Sequence, residues 1–139
     1  MSMEYFSQYP FIVQDKKARS LSFFCKREVV SLSRDVMNEL KKIASEENKD
    51  IRVSMHQSPD SDLHNMIILQ HRGTYVRPHK HLKKAEAYQL IEGTQTVFIF
   101  DNAGKVIDRC DMSHDGNFLY RFEKNHYHMS TPTSDFVIF

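Results

Sequence analysis

The sequence predicts a mainly β protein, a small barrel or sandwich preceded by one helix. Three observations predict it. Short apolar runs recur between turn residues along most of the chain, only one stretch has helical periodicity, and 139 residues suit a single core. Two plausible strands open the chain, one around Phe11 to Val13 and one from Leu21 to Cys25, with the polar turn QDKKARS between them. The helix follows. Ser33 is a good N-cap, and Asp35 lies in the first turn, where the helix dipole favours negative charge. Val36, Met37, Leu40, Ile43 and Ala44 form one apolar stripe, Asn38, Glu39, Lys41, Lys42 and Ser45 fill the other face, and EENKD ends the element.

From Ile51 the pattern becomes β. Ile51 and Val53 begin a strand that leads to Met55 and His56, and QSPDSD is a turn cluster. Met66 to Leu69 is a buried-strand candidate that Arg72-Gly73 breaks. Tyr75 to His81 reads as extended, with Pro78 demoting part of it to an irregular or edge position. Tyr88 to Ile91 is a strand and Glu92-Gly93 a turn. Thr94 to Phe100 alternates polar and apolar residues, and DNAG is a hairpin turn with Gly104 available for positive φ. Val106-Ile107, Phe118 to Phe122 and Phe136 to Phe139 complete the set. Residues 1–50 are expected to pack on a barrel formed by residues 51–139, the whole being one structural domain.

Composition narrows the function. The formal charge is +1, from 19 basic and 18 acidic residues, which argues against a nucleic-acid partner. No apolar run approaches the roughly 18 residues of a membrane span. The N-terminus shows no basic stretch followed by an apolar core, so no secretory signal is expected. Cys25 and Cys110 match no paired motif, and a reduced cytoplasmic setting is expected. No P-loop, dinucleotide fingerprint or Ser-His-Asp order is present, and four glycines are too few for a nucleotide cradle. Eight histidines is a high count for this length.

Residues 73–93 read GTYVRPHKHLKKAEAYQLIEG. His79 and His81 stand at i and i+2, so on a strand they share a face. The short loop LKKA lets the chain turn back, and Glu86 can add a hard oxygen from the neighbouring strand. A third histidine would leave a four-ligand site with positions open to water or substrate. YRFEKNHYHM offers His126 and His128, themselves at i and i+2. The ion expected here is divalent; imidazole and carboxylate ligands suit Zn, Fe, Ni or Mn alike.

The spacing G-x5-H-x-H-x4-E-x6-G resembles the first motif of the cupin superfamily, with every position filled by Gly73, His79, His81, Glu86 and Gly93. The second cupin motif, P-x-G-x-x-H, matches EKNHYH less closely. Glu123 replaces the proline, Asn125 the glycine, and His128 fits the register of the histidine, with His126 the runner-up. Asn is the residue after Gly that best tolerates a left-handed turn position. From Ile51 to Phe139 the chain is similar to the small cupin metalloproteins of the WbuC type, found among bacterial O-antigen and surface-polysaccharide genes. Arg52, His56, YVRPHKH at 75–81, Glu86, IEG at 91–93, FIFDNAGKV at 98–106 and the closing HYH carry that likeness. The resemblance implies a cupin (double-stranded β-helix or jelly-roll) barrel with a short helical lead-in, one metal ion, and a cytoplasmic setting in a polysaccharide-making bacterium.

Around the metal, His56 reads either as a structural histidine or as a substrate contact. Arg77, which alternation puts on the face of His79 and His81, reads either as a solvated arginine or as a contact for phosphate or carboxylate. Tyr75 and Tyr88 either pack or line the site. Three functions compete. In the first, the ion polarises a sugar or sugar nucleotide while His126 or Tyr88 moves a proton, giving isomerisation or epimerisation. The second is an Fe(II) dioxygenase, and the third a non-catalytic barrel that binds a sugar or metabolite. A homodimer is expected because the closing DFVIF is an apolar strand that needs cover.

Overall fold

The computed structural model describes residues 4–139, and the chain divides between Leu69 and Gln70 into two compact units. It is mainly β, with ten strands and one helix among the described residues.

The first unit carries β1 (Ile12–Gln14), β2 (Leu21–Cys25), α1 (Arg34–Glu47), β3 (Ile51–Ser54) and the start of β4 (Met66–His71). β1 pairs antiparallel with β2, β2 parallel with β3, and β3 antiparallel with β4. A parallel pair cannot be joined by a tight turn, and α1 supplies the crossover from β2 to β3. The helix starts as its sequence dictates: Ser33 Oγ accepts a hydrogen bond from the Val36 amide at 3.3 Å. It stops at Asn48, which turns left-handed at φ 49° and donates its N–H to the Ala44 and Ser45 carbonyls. Val36, Leu40, Ile43 and Ala44 are buried, four of the five residues of the expected stripe. Phe6 and Phe23 meet edge-on at 5.0 Å in the same core.

The second unit carries β5 (Glu86–Gln89), β6 (Gln95–Phe100), β7 (Val106–Met112), β8 (Leu119–Phe122), β9 (Tyr127–Pro132) and β10 (Phe136–Ile138). β5 and β8 form an antiparallel pair, and β6 lies between β7 and β9 in a three-stranded sheet. Among the described residues these remain separate sheets, with no closed barrel. Tyr88, Val97, Cys110 and Met112 are the buried centre, with Leu90, Tyr120, Phe122 and Phe139 packed around them.

Most expected strands form, with bounds shifted by a few residues. Two differences matter for the site. The segment from Tyr75 to His81 is not a strand; only His79 pairs, through an isolated antiparallel bridge to His128. Pro78 offers no N–H to a ladder, and Gly73 turns the chain at φ 86°. Conversely, β9 has no apolar alternation in sequence. Its inward residues are His128, Ser130 and Pro132, so polar side chains conceal the period of two. Burial also bears on the C-terminal strand and the cysteines. Val137 and Ile138 are fully buried within the chain. Cys25 and Cys110 are both buried and unpaired, in different units.

Candidate metal centre

The site is assembled by three backbone devices within the second unit. The His79 amide donates to the His128 carbonyl at 3.1 Å, and the His128 amide donates back to the His79 carbonyl at 2.9 Å. This reciprocal pair sets the two imidazoles side by side, with ring centroids 4.4 Å apart. Asn125 then takes φ 68° at the head of β9 and donates its N–H to the His81 carbonyl at 2.7 Å. Its left-handed conformation is the one expected of the residue standing where the motif has glycine. Finally, Glu86 opens β5 opposite Phe122 on β8, and its side chain turns back to the histidines.

One ligand atom from each of His79, His81 and His128 lies within 4.8 Å of the others, a group that could hold a metal ion. Glu86 Oε2 stands 3.0 Å from His81 Nε2 and 3.0 Å from His128 Nε2. Two donors about 2.1 Å from one ion are about 3.0–3.4 Å apart, so these separations suit neighbours on a shared cation. The alignment suits one too. Glu86 Oε2 and His128 Nε2 are buried, and while His128 is neutral neither donates a proton to the other across their 3.0 Å contact. Buried polar atoms without partners are costly, and a cation between them removes that cost. The ring tautomers agree. His79 Nδ1 lies 2.9 Å from the Arg77 carbonyl and His128 Nδ1 2.9 Å from the His126 carbonyl. A carbonyl only accepts, so Nδ1 carries the proton and Nε2 presents its lone pair.

Electrostatics reinforce the arrangement. Burial pushes the Glu86 carboxyl up, but His128 and His81, with the Tyr88 hydroxyl, outweigh it and hold the group below the usual carboxylate range. Burial favours neutral His128, but Glu86 and the His126 carbonyl outweigh it and raise its pKa. Burial, then the adjacent Glu86 carboxylate, push the Tyr88 phenol far above its ordinary value. Tyr88 therefore stays protonated and donates to Glu86, which makes it an orienting group for the carboxylate.

His128 is fully buried, whereas the His81 side chain is half exposed, so the centre is closed on one side and open on the other. The closed side is aromatic. Phe122 lies 4.5 Å from the His128 ring, and Tyr88 meets Phe139 at 5.2 Å and Phe122 at 5.9 Å. Phe122 and Phe139 carry no polar chemistry and drew no role from the sequence. The signal for Phe122 was its register opposite Glu86, visible only once β5 and β8 pair.

The remaining sequence candidates fall as follows. His126 stands outside the three-histidine group; its Nδ1 lies 3.0 Å from the Glu123 carbonyl and 3.1 Å from that of Lys124, which leaves Nε2 as the basic atom. Arg77 and Tyr75 lie on the loop before His79, Arg77 exposed and Tyr75 74% exposed. His56 belongs to the first unit, where it stacks on His64 at 4.2 Å and meets the Asn65 backbone. Among the described residues, no helix is long and apolar enough to cross a membrane.

Fold and site together define a mainly β protein with a histidine group able to hold a metal ion. Residues 32–112 match the family described as a domain of unknown function, DUF6016, and the chain belongs to that family. The match runs from just before α1 to the end of β7; it includes His79, His81 and Glu86 and stops before His128. No curated protein and no solved structure matches the chain.

Proposed function

We propose that this chain is a cupin-type metalloprotein that holds one divalent ion through Nε2 of His79, His81 and His128 and an oxygen of Glu86, and uses it on a sugar-derived small molecule. The observation that carries the reading is the pair of buried ligand-type atoms, Glu86 Oε2 and His128 Nε2, facing each other at 3.0 Å. A bound divalent ion supplies Lewis acidity toward a carbonyl or hydroxyl oxygen. The chain's own residues do the rest. The Arg77 and His126 carbonyls fix the tautomers of His79 and His128, and Tyr88 holds the Glu86 carboxylate in place. Phe122, Tyr88 and Phe139 keep water from the inner side. His126, with its Nδ1 proton committed to backbone carbonyls, has Nε2 available to take a proton from a substrate. The likeness to WbuC-type cupins supports a sugar or sugar-nucleotide substrate, with isomerisation or epimerisation as the reaction. Together with the unpaired cysteines, it supports a cytoplasmic setting.

Elemental analysis of protein purified without added metal tests this, beside a His79→Ala/His81→Ala variant. One equivalent of zinc, nickel or manganese in the wild type and none in the variant is the expected result. Iron with ligand-dependent oxygen uptake would instead assign oxygenase chemistry, and saturable sugar binding without turnover would assign a binding protein. A wild-type protein that carries no metal and takes up none when supplied would refute the metal centre itself.

A further inference from the structure

The chain as a whole is nearly neutral, but charge is not spread evenly around the open side of the histidine centre. From Leu63 to Ala85 there is no carboxylate, while Arg72, Arg77, Lys80, Lys83 and Lys84 all fall there. Four of these five lie within three residues of a residue of the centre. The Arg77 carbonyl accepts from His79 Nδ1, so the Arg77 backbone borders that ring. Lys80, between His79 and His81, is turned away from the centre: its ammonium lies 4.6 Å from the ring centroid of Tyr127, which alternates with His128 along β9. Lys83 and Lys84 sit on the exposed arch 82–85, whose feet, His81 and Glu86, meet at 3.0 Å. A second basic segment faces this one. The bond from the Asn125 amide to the His81 carbonyl brings the exposed Lys124 beside the arch. The neighbour of Lys124 in sequence, Glu123, is paired with Arg121 at 2.7 Å. On the opposite side the centre is closed by Tyr88, Phe122 and Phe139, so a ligand reaches the histidines past the basic rim.

Resting on the metal-centre reading above, we propose that the molecule taken at this centre is anionic, carrying a phosphate or carboxylate group that Lys83, Lys84 and Lys124 bind at the rim while its neutral part reaches the ion. Clustered like charge at the mouth of a cleft concentrates ligands of opposite charge, and ammonium groups bind such oxyanions as point charges. The geometry does not separate phosphate from carboxylate, since both offer several acceptor oxygens to the same cations.

The test uses the full chain loaded with one equivalent of zinc and measures binding of glucose, gluconate and glucose 6-phosphate by calorimetry at low and high salt. Both anions, or one of them, are expected to bind roughly tenfold or more tightly than glucose, and the advantage should shrink with added salt. A preference for glucose 6-phosphate alone would assign phosphate; a preference for gluconate alone would assign carboxylate. In the Lys83→Ala/Lys84→Ala/Lys124→Ala variant the advantage should vanish while one equivalent of zinc is retained. These lysines are exposed, so the variant should fold; Lys83→Arg/Lys84→Arg/Lys124→Arg, which keeps the charge, should keep the preference. Anions that bind no better than glucose, including no binding by any of the three, would overturn the proposal, as would a preference that survives in the alanine variant. A failure of the metal centre shows separately, as zinc that does not load.

Discussion

At the scale of single residues, the centre is a competition between protons and a cation for the same lone pairs. In the metal-free protein Glu86 raises the pKa of His128 while His128 and His81 depress that of Glu86. The signs follow. The raised His128 contributes stability below the ordinary imidazole pKa of about 6.5, lost as pH rises through its folded value; the depressed Glu86 contributes stability above the ordinary carboxyl value, lost as pH falls. An ion must displace the His128 proton, so zinc affinity should rise with pH through and beyond the ordinary imidazole range and level off only once His128 is neutral. Glu86→Gln removes the charge that raises His128. It should weaken zinc binding overall, by about 10-fold or more, and move the rise to lower pH. Titrations at several pH values check this; an unchanged midpoint in Glu86→Gln would show that Glu86 does not face His128 in solution.

Elements bring these residues together, and the turns between them carry strict local demands. Gly93, between β5 and β6, has φ 83°, and a Cβ there would lie 2.4 Å from the Phe136 carbonyl oxygen and 2.6 Å from Ser134 Oγ. Gly104, in the β6–β7 hairpin, has φ 85° but nothing within 4 Å of such a Cβ. Both pay the left-handed penalty on substitution, of about 1–2 kcal/mol. Only Gly93 also meets backbone. Gly93→Ala should therefore destabilise the protein by about 3 kcal/mol or more, and Gly104→Ala by about 1 kcal/mol, read from urea midpoints. Equal losses would mean that the β10 segment yields freely to the added methyl. The helix shows how far sequence reaches at this scale. Its N-cap, its apolar stripe and its end could all be read directly, because capping and a period of 3.6 are local properties. The strand β9 could not be read, because its inward face is built from His128, Ser130 and Pro132.

At the scale of the molecule, every residue assigned to the metal centre lies in the second unit, residues 70–139, whereas α1 and β1 to β3 lie in the first. Ligand binding stabilises what it contacts. Zinc should accordingly slow amide exchange most in β5, β6, β8 and β9, with smaller changes in α1, as followed by hydrogen-exchange mass spectrometry. Uniform slowing along the whole chain would show that the two units respond to the ion as one. The same division bears on His56, whose ring stacks with His64 in the first unit, away in sequence from every residue of the centre.

The sequence by itself determined the mainly β class, the single capped helix and the ligand spacing from Gly73 to Gly93. These rest on local rules: turn residues, periodicity, and the reach of a short loop between His81 and Glu86. It also pointed to a left-handed turn at Asn125, because few residues other than glycine tolerate that conformation. The motif register already favoured His128 over His126; the tertiary structure supplies the physical reason, since the bridge to His79 brings His128 into the three-histidine group. Only the fold showed that Tyr88 is buried against Glu86 and stays protonated, and that Phe122 and Phe139 close the inner side. Burial, tautomer and the pairing of distant strands are set by which segments meet, and residues far apart in the chain carry no local mark of meeting.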